Sequence, residues 1–99
     1  MDVELVFAPE VEQDISEAYD WYEKRRYGLG EEFFACVEAC TQQIRRSPEL
    51  HAKVYKEYRR VLIRRFPYAV FYKYADQTVT IYCVIHTSRE PSKWKRRLS

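Results

Sequence analysis

The 99-residue sequence has only two glycines, Gly28 and Gly30, placed together at one break where a helix end and a tight turn need positive φ. Cysteine is scarce as well, at Cys36, Cys40 and Cys83. An odd number, with no signal-peptide pattern ahead of it, completes no disulfide framework, so a reducing cytoplasm is the expected setting. Cys36 and Cys40 share a helix face, yet no CxxC pair or neighbouring histidine completes a metal set. They read as small buried apolar residues, and no metal or other cofactor is expected. No apolar run approaches the roughly 20 residues of a membrane span, so no membrane partner is expected. Internal repeats, low-complexity segments and linkers are missing too, which leaves residues 1–99 as a single domain around one core.

Apolar and aromatic side chains are plentiful, at 46% and 16%, enough for that core to form without staples. Charge is plentiful and divided. The net charge is only +2, but residues 1–50 hold five basic against twelve acidic residues, a net −7, whereas residues 51–99 hold twelve against three, a net +9. Such a molecule is electrostatically two-sided, and its C-terminal half suits something anionic: nucleic acid, an acidic protein segment, or each at different times. The plain alternative is a pair of solvated faces that partly neutralise each other.

Val3-Glu4-Leu5-Val6-Phe7 has strand composition and is stopped by Ala8-Pro9. Over residues 10–26 the stripe Val11, Ile15, Ala18, Tyr22 predicts an amphipathic helix, with acids at its start and Lys24, Arg25 and Arg26 at its end, as the helix dipole prefers. After the glycine break, Phe33, Val37, Cys40 and Ile44 mark a second helix over residues 31–46, so the two form an antiparallel hairpin. A polar passage over residues 49–53 follows, and then the period becomes extended. Strands are expected at residues 59–66, where an apolar triplet is bracketed by arginine pairs, and at residues 68–74 and 78–86. The near-continuous β-formers of residues 78–86 predict a central strand buried on both faces. The fold class is therefore α+β, in the order β-α-α-β-β-β, with the helical hairpin on one face of a small, mainly antiparallel sheet. The tail is a short helix or ordered extension, anchored by Trp94 and Leu98.

That order, the Ala8-Pro9-Glu10 opening and the Ser47-Pro48-Glu49 closing the second helix resemble the RelE/ParE toxin superfamily, its ParE-like branch in particular. The second half carries the more specific marks: Arg60, Phe66-Pro67-Tyr68, Tyr72, Val84-Ile85-His86, Arg89-Glu90-Pro91 and Trp94, in the family's order and spacing. The resemblance implies the toxin half of a type II toxin–antitoxin, plasmid-stabilisation pair, cytoplasmic and neutralised by a cognate antitoxin, ParD-like or similar, with an acidic amphipathic C-terminal segment. Two targets occur in the superfamily. RelE-like toxins cleave messenger RNA on the ribosome, whereas ParE toxins poison DNA gyrase without being nucleases.

Cleavage through the 2′-hydroxyl needs a proton acceptor, a proton donor and positive charge around the phosphate. Arg60, Arg64, Arg89 and His86 are the set this chain offers for it. Strand alternation sends Arg60 and Arg64 to one face and Arg59 and Arg65 to the other. No carboxylate orients His86, which equally suits a hydrogen-bonded structural role. Two departures weigh against a nuclease: Ala69 stands where the ribonucleases carry arginine, and Trp94 is the nearest counterpart of their C-terminal tyrosine. The resemblance thus favours a gyrase poison, with a ribosome-dependent mRNA interferase as the alternative. For the antitoxin, the surplus aromatics Tyr19, Trp21 and Phe34 and the cations Arg59 and Arg65 are the expected contacts, the latter doubling as a charged edge that blocks sheet-to-sheet aggregation. For the target, the expected contacts are Arg89, Trp94, Lys95, Arg96 and Arg97.

Overall fold

The computed structural model describes residues 3–99. Its elements are β1 (Glu4–Phe7), α1 (Pro9–Arg25), α2 (Leu29–Arg46), β2 (Lys53–Tyr55), β3 (Tyr58–Leu62), β4 (Tyr68–Ala75), β5 (Thr78–His86) and α3 (Pro91–Leu98). The five strands form one sheet in the order β1-β5-β4-β3-β2. Only the β1–β5 pair is parallel. β5 is an interior strand, second in the sheet between β1 and β4, and is covered on both faces, as its β-formers predict.

Two differences from the sequence reading concern the strands after the hairpin. β2 occupies the end of the polar passage, and its three residues are too few to show a period of their own. β3 ends at Leu62 instead of running on to residue 66. The chain turns there: the Ile63 N–H donates to the Tyr68 carbonyl at 2.9 Å, and Arg65 takes a left-handed φ of 73°.

The hairpin packs through the stripe that the periodicity marks. Val11, Ala18 and Tyr22 of α1 and Phe33, Val37, Cys40 and Ile44 of α2 meet Val70, Tyr72, Val79, Ile81 and Val84 of the sheet. An aromatic cluster closes one end of this layer. Phe66 lies edge-on to Tyr22 (4.9 Å) and to Phe33 (5.3 Å), and Tyr68 lies edge-on to Phe33 at 5.1 Å. A buried ring of this kind contributes roughly 1.5–3 kcal/mol by burial alone.

The two glycines have different jobs. Gly28 has φ +88°, as the helix break requires. Gly30 is helical, and its constraint is space: a Cβ there would lie 2.9 Å from the Tyr19 carbonyl oxygen, so its hydrogen side chain lets α1 and α2 approach. Glu23 exploits the approach. Its carboxylate accepts the Gly28 N–H at 3.0 Å and the Gly30 N–H at 2.9 Å, capping α2 from α1, where Gly28 has no side chain to do so.

The opposite sheet face is also filled. Tyr58, Ala69, Phe71, Cys83 and Leu98 are buried there, and Trp94 of α3 stacks on Phe71 at 4.7 Å. A bulge in β5 serves this second core. The β4–β5 register jumps between Phe71↔Cys83 and Tyr72↔Ile81, so Tyr82 and Cys83 both join the α3 side. All three cysteines are free, and burial pushes the Cys40 thiol up to about 11 and the Cys83 thiol up to about 12.

β1 pairs with β5 only as far as Phe7↔Ile81, leaving the rest of that β5 edge without a strand. Side chains take its place. The Val84 N–H donates to Asp14 Oδ2 at 3.0 Å, and the Tyr82 carbonyl accepts from Arg97 at 3.2 Å. Arg97 in turn forks onto Asp14, Nη1 to Oδ1 at 3.0 Å and Nη2 to Oδ2 at 2.9 Å. One ion pair thereby joins α1, the β5 bulge and α3.

Two stability predictions follow from these contacts. Gly30→Ala forces a Cβ against backbone and is expected to lower unfolding free energy by about 1–3 kcal/mol in urea titrations. Unchanged stability would show that the helices can separate freely. For the Asp14–Arg97 pair, a double-mutant cycle of Asp14→Asn and Arg97→Ala is expected to give a favourable coupling of about 1 kcal/mol or more, with each single change costing about 1.5–3 kcal/mol. Additive losses would reduce the pair to two independent contacts.

Candidate functional site

Two grooves flank α1. The first, of about 860 Å³, opens beyond the unpaired end of β5, between α1, α3 and the loop that joins β5 to α3. Its inner wall carries Ala18, Tyr22, Tyr68 and Val84. Acids Asp14 and Glu17 stand on the α1 side, and Arg89, Lys93, Arg96 and Arg97 on the other. The second groove, of about 760 Å³, runs along the outer seam of the hairpin beside β1. Leu5, Phe7, Ile15, Tyr19 and Phe34 give it an apolar lining, and Glu12, Glu31 and Glu38 ring it with acid.

His86 ends β5 at the first groove, as its place at the close of a buried strand predicts. Its Nδ1 accepts the Ser88 N–H at 3.0 Å, which leaves the proton of the neutral ring on Nε2. Its ring stands edge-on to Tyr68 at 5.2 Å. Among the described residues no carboxylate is hydrogen-bonded to it. Burial raises the Tyr68 phenol above its ordinary value, with the nearby Arg89 charge opposing. The phenol thus keeps its proton at neutral pH.

The four residues of the cleavage set do not converge. His86 and Arg89 share the first groove. Arg60 lies opposite Phe71 in the register, hence on the α3 side of the sheet and two strands away from β5, and Arg64 stands exposed on the turn after β3. Ala69 is 3% exposed within the second core, where an arginine would have neither room nor water.

The expected antitoxin contacts separate likewise. Tyr19 and Phe34 line the second groove, whereas Trp21, 52% exposed, lies on the first. Arg59 lies on the hairpin side by strand alternation, and Arg65 reaches that side through the turn after β3 instead, but each is engaged within the chain. Arg59 donates to the carbonyls of His51 (2.6 Å) and Glu49 (3.2 Å), pinning the loop after α2, and Tyr72 Oη pins it further at Pro48 O, 2.8 Å away. Arg65 pairs with Glu32 at 2.7 Å, which holds that carboxyl below its ordinary value.

Of the expected target contacts, Arg89 and Arg96 line the first groove and remain exposed. Lys95 points over the Tyr55 ring at 5.5 Å on the other face. Trp94 is spent on Phe71, and Arg97 on Asp14. Lys93, which joins Arg89 and Arg96 at the groove, escaped the sequence reading because nothing separates it from a soluble tail lysine until α3 is placed. Among the described residues no cluster of histidine, cysteine or carboxylate has metal-binding geometry.

Comparison with known proteins agrees with this architecture. Residues 5–91 match the family model described as the ParE toxin of the type II toxin–antitoxin system parDE. Toxin ParE2 of Mycobacterium tuberculosis is 30% identical over 96 residues, covering 90% of this chain and 86% of that protein. Among solved structures, the chromosomal ParDE TA system from P. aeruginosa superposes with a TM-score of 0.66 at 13% identity, covering 87% of this chain and 97% of the other. The toxin–antitoxin complex RelBE2 from Mycobacterium tuberculosis gives 0.61 at 18% identity, covering 87% and 99%. These two share the fold. With the family model spanning most of its length, the chain belongs to the ParE toxin family of type II toxin–antitoxin systems.

Proposed function

We propose that this ParE-type toxin acts by binding: it inhibits growth by poisoning DNA gyrase through protein contact and is silenced by a cognate antitoxin. One observation carries the non-enzymatic part. The sheet face opposite the hairpin is a packed core of Ala69, Phe71, Cys83, Leu98 and Trp94, so the arginine and tyrosine positions of the related ribonucleases hold apolar packing. Arg60 and Arg64 lie away from His86 and Arg89, and the cations that do share the groove stand along one wall with Glu17 across from them, so positive charge does not converge on one point as a phosphate transition state needs. Arg89, Lys93 and Arg96 at the first groove are the contacts offered to the target.

The second groove suits the antitoxin. An amphipathic helix would seat apolar side chains against Phe34, Tyr19 and Phe7, of which Phe34 is 40% and Phe7 47% exposed. Its rim is acidic, so the segment seated there would present neutral or basic flanks, and the acidic part of an antitoxin would reach the cations of the sheet half instead.

Supercoiling assays with purified toxin test the target. Inhibition of gyrase is expected near stoichiometric toxin, and its absence removes the gyrase reading. Ribosome-dependent message cleavage that disappears with His86→Ala and Arg89→Ala would establish the interferase alternative. Titration calorimetry with the antitoxin tests the groove: Phe34→Ala is expected to weaken the complex at least tenfold, about 1.4 kcal/mol, with little change in melting temperature. An unchanged Kd would place the antitoxin elsewhere.

A further inference from the structure

Basic residues are not scattered through the acidic half. Of its five, Lys24, Arg25 and Arg26 lie together at the end of α1, which is the tip of the hairpin. The arginine pair that follows β3 lies against the same tip. Glu32, in the first turn of α2, accepts Arg26 at 3.1 Å and Arg65 at 2.7 Å. Phe66 plugs the turn into the aromatic cluster between Tyr22 and Phe33, so Arg64 and Arg65 are held rigidly beside the helix end.

All five cations are exposed, and Tyr27 beside them is 93% exposed. Four acids, Asp20, Glu23, Glu31 and Glu32, share the hairpin end with these five cations, and two of them are already engaged. Glu32 is shared by two guanidiniums, and Glu23 turns its carboxylate onto the Gly28 and Gly30 N–H groups. Here basic residues of both halves of the chain meet, Arg26 and Arg65 on one carboxylate.

We propose that this tip binds the phosphate backbone of duplex DNA. Four of the five cations are arginines, whose planar forks match phosphate oxygens. Neither groove is lined by these residues, so an acidic peptide would find no cleft there for its side chains. The Trp21 ring face is occupied by Arg25 at 4.1 Å, which leaves Tyr27 as the one fully exposed ring at the tip among the described residues, too little for the run of stacked bases that single-strand binders use. A contact with the paired backbone of this kind is charged and independent of sequence. The contact needs no gyrase, so it stands or falls separately from the target proposed above.

Fluorescence anisotropy of a short labelled duplex against the full chain, over a salt series, tests it. Wild-type protein is expected to bind, weakening steeply with salt. Arg25→Glu with Arg64→Glu is expected to weaken binding at least tenfold at low salt and to reduce the log–log salt slope by about 2, one unit for each lost phosphate contact. Arg46→Glu, roughly 25 Å away along α2, is expected to change affinity less than twofold. Should the double reversal fail to fold by thermal melting, Arg25→Gln with Arg64→Gln serves in its place. The proposal is overturned by no wild-type binding, by an equal loss in Arg46→Glu, or by retention in the tip variant. Tighter binding of single strands, or of a polyglutamate peptide, would equally overturn it.

Discussion

An ion pair stands in for a missing strand, and the placement of both helical layers depends on it. β1 is four residues long and leaves the second half of β5 with an open edge. An open edge invites another strand, and its N–H and C=O groups must be satisfied once helices cover them. Asp14 takes the Val84 N–H and Arg97 takes the Tyr82 carbonyl. Exposed ion pairs contribute little, about 0–1 kcal/mol. This one differs in that Asp14 is only 14% exposed, the fork is bidentate, and each partner also satisfies a backbone group. Losing either side would strand a covered N–H or C=O, which costs more than the pair itself contributes.

The hairpin is set by two further constraints that reinforce the first. Gly30 permits the close approach of α1 and α2, and Glu23 uses that approach to cap α2. Phe66 then fills the end of the layer, which fixes the turn carrying Arg64 and Arg65 relative to α1. Because α1 is anchored at Asp14 to α3 and at Tyr22 to the aromatic cluster, both grooves inherit a rigid wall. The apolar seam and the cationic groove sit on opposite sides of that one helix.

Much of this was legible in the residues. β5 spans the predicted residues 78–86, because a run of β-formers buried on both faces leaves no competing period. Both helices carry the predicted buried stripes, and Trp94 and Leu98 anchor the tail as expected. The destinations of charged side chains were not legible. Arg97 is indistinguishable from Arg96 in the run Lys95-Arg96-Arg97, yet only Arg97 meets a carboxylate, because α3 crosses the β5 edge at that turn. Asp14, near a helix start, reads as a dipole partner, and its contact 70 residues away has no local signal. Arg59 alternates with Arg60 as a strand demands, but alternation cannot reveal that loop carbonyls claim its guanidinium. Gly30 resembles Gly28 until the Tyr19 carbonyl is placed beside it.

Subtracting the charges already engaged changes what the two-sided charge distribution means. Arg59, Arg65 and Arg97 serve loop, hairpin and sheet edge, so the excess of the C-terminal half exceeds what a partner can meet. The cations left at the first groove, Arg89, Lys93 and Arg96, sit along one wall and face Glu17 across it, Asp14 being taken by Arg97. A phosphoryl transition state needs positive charge converging on one point, and a groove with opposed walls does not provide that. A protein surface with alternating charges can satisfy both walls at once, and electrostatic complementarity of that kind sets register and partner choice more than raw affinity. Anionic backbone is better received where guanidiniums outnumber acids, and selectivity between protein and nucleic-acid partners then follows from which acids the fold has already neutralised.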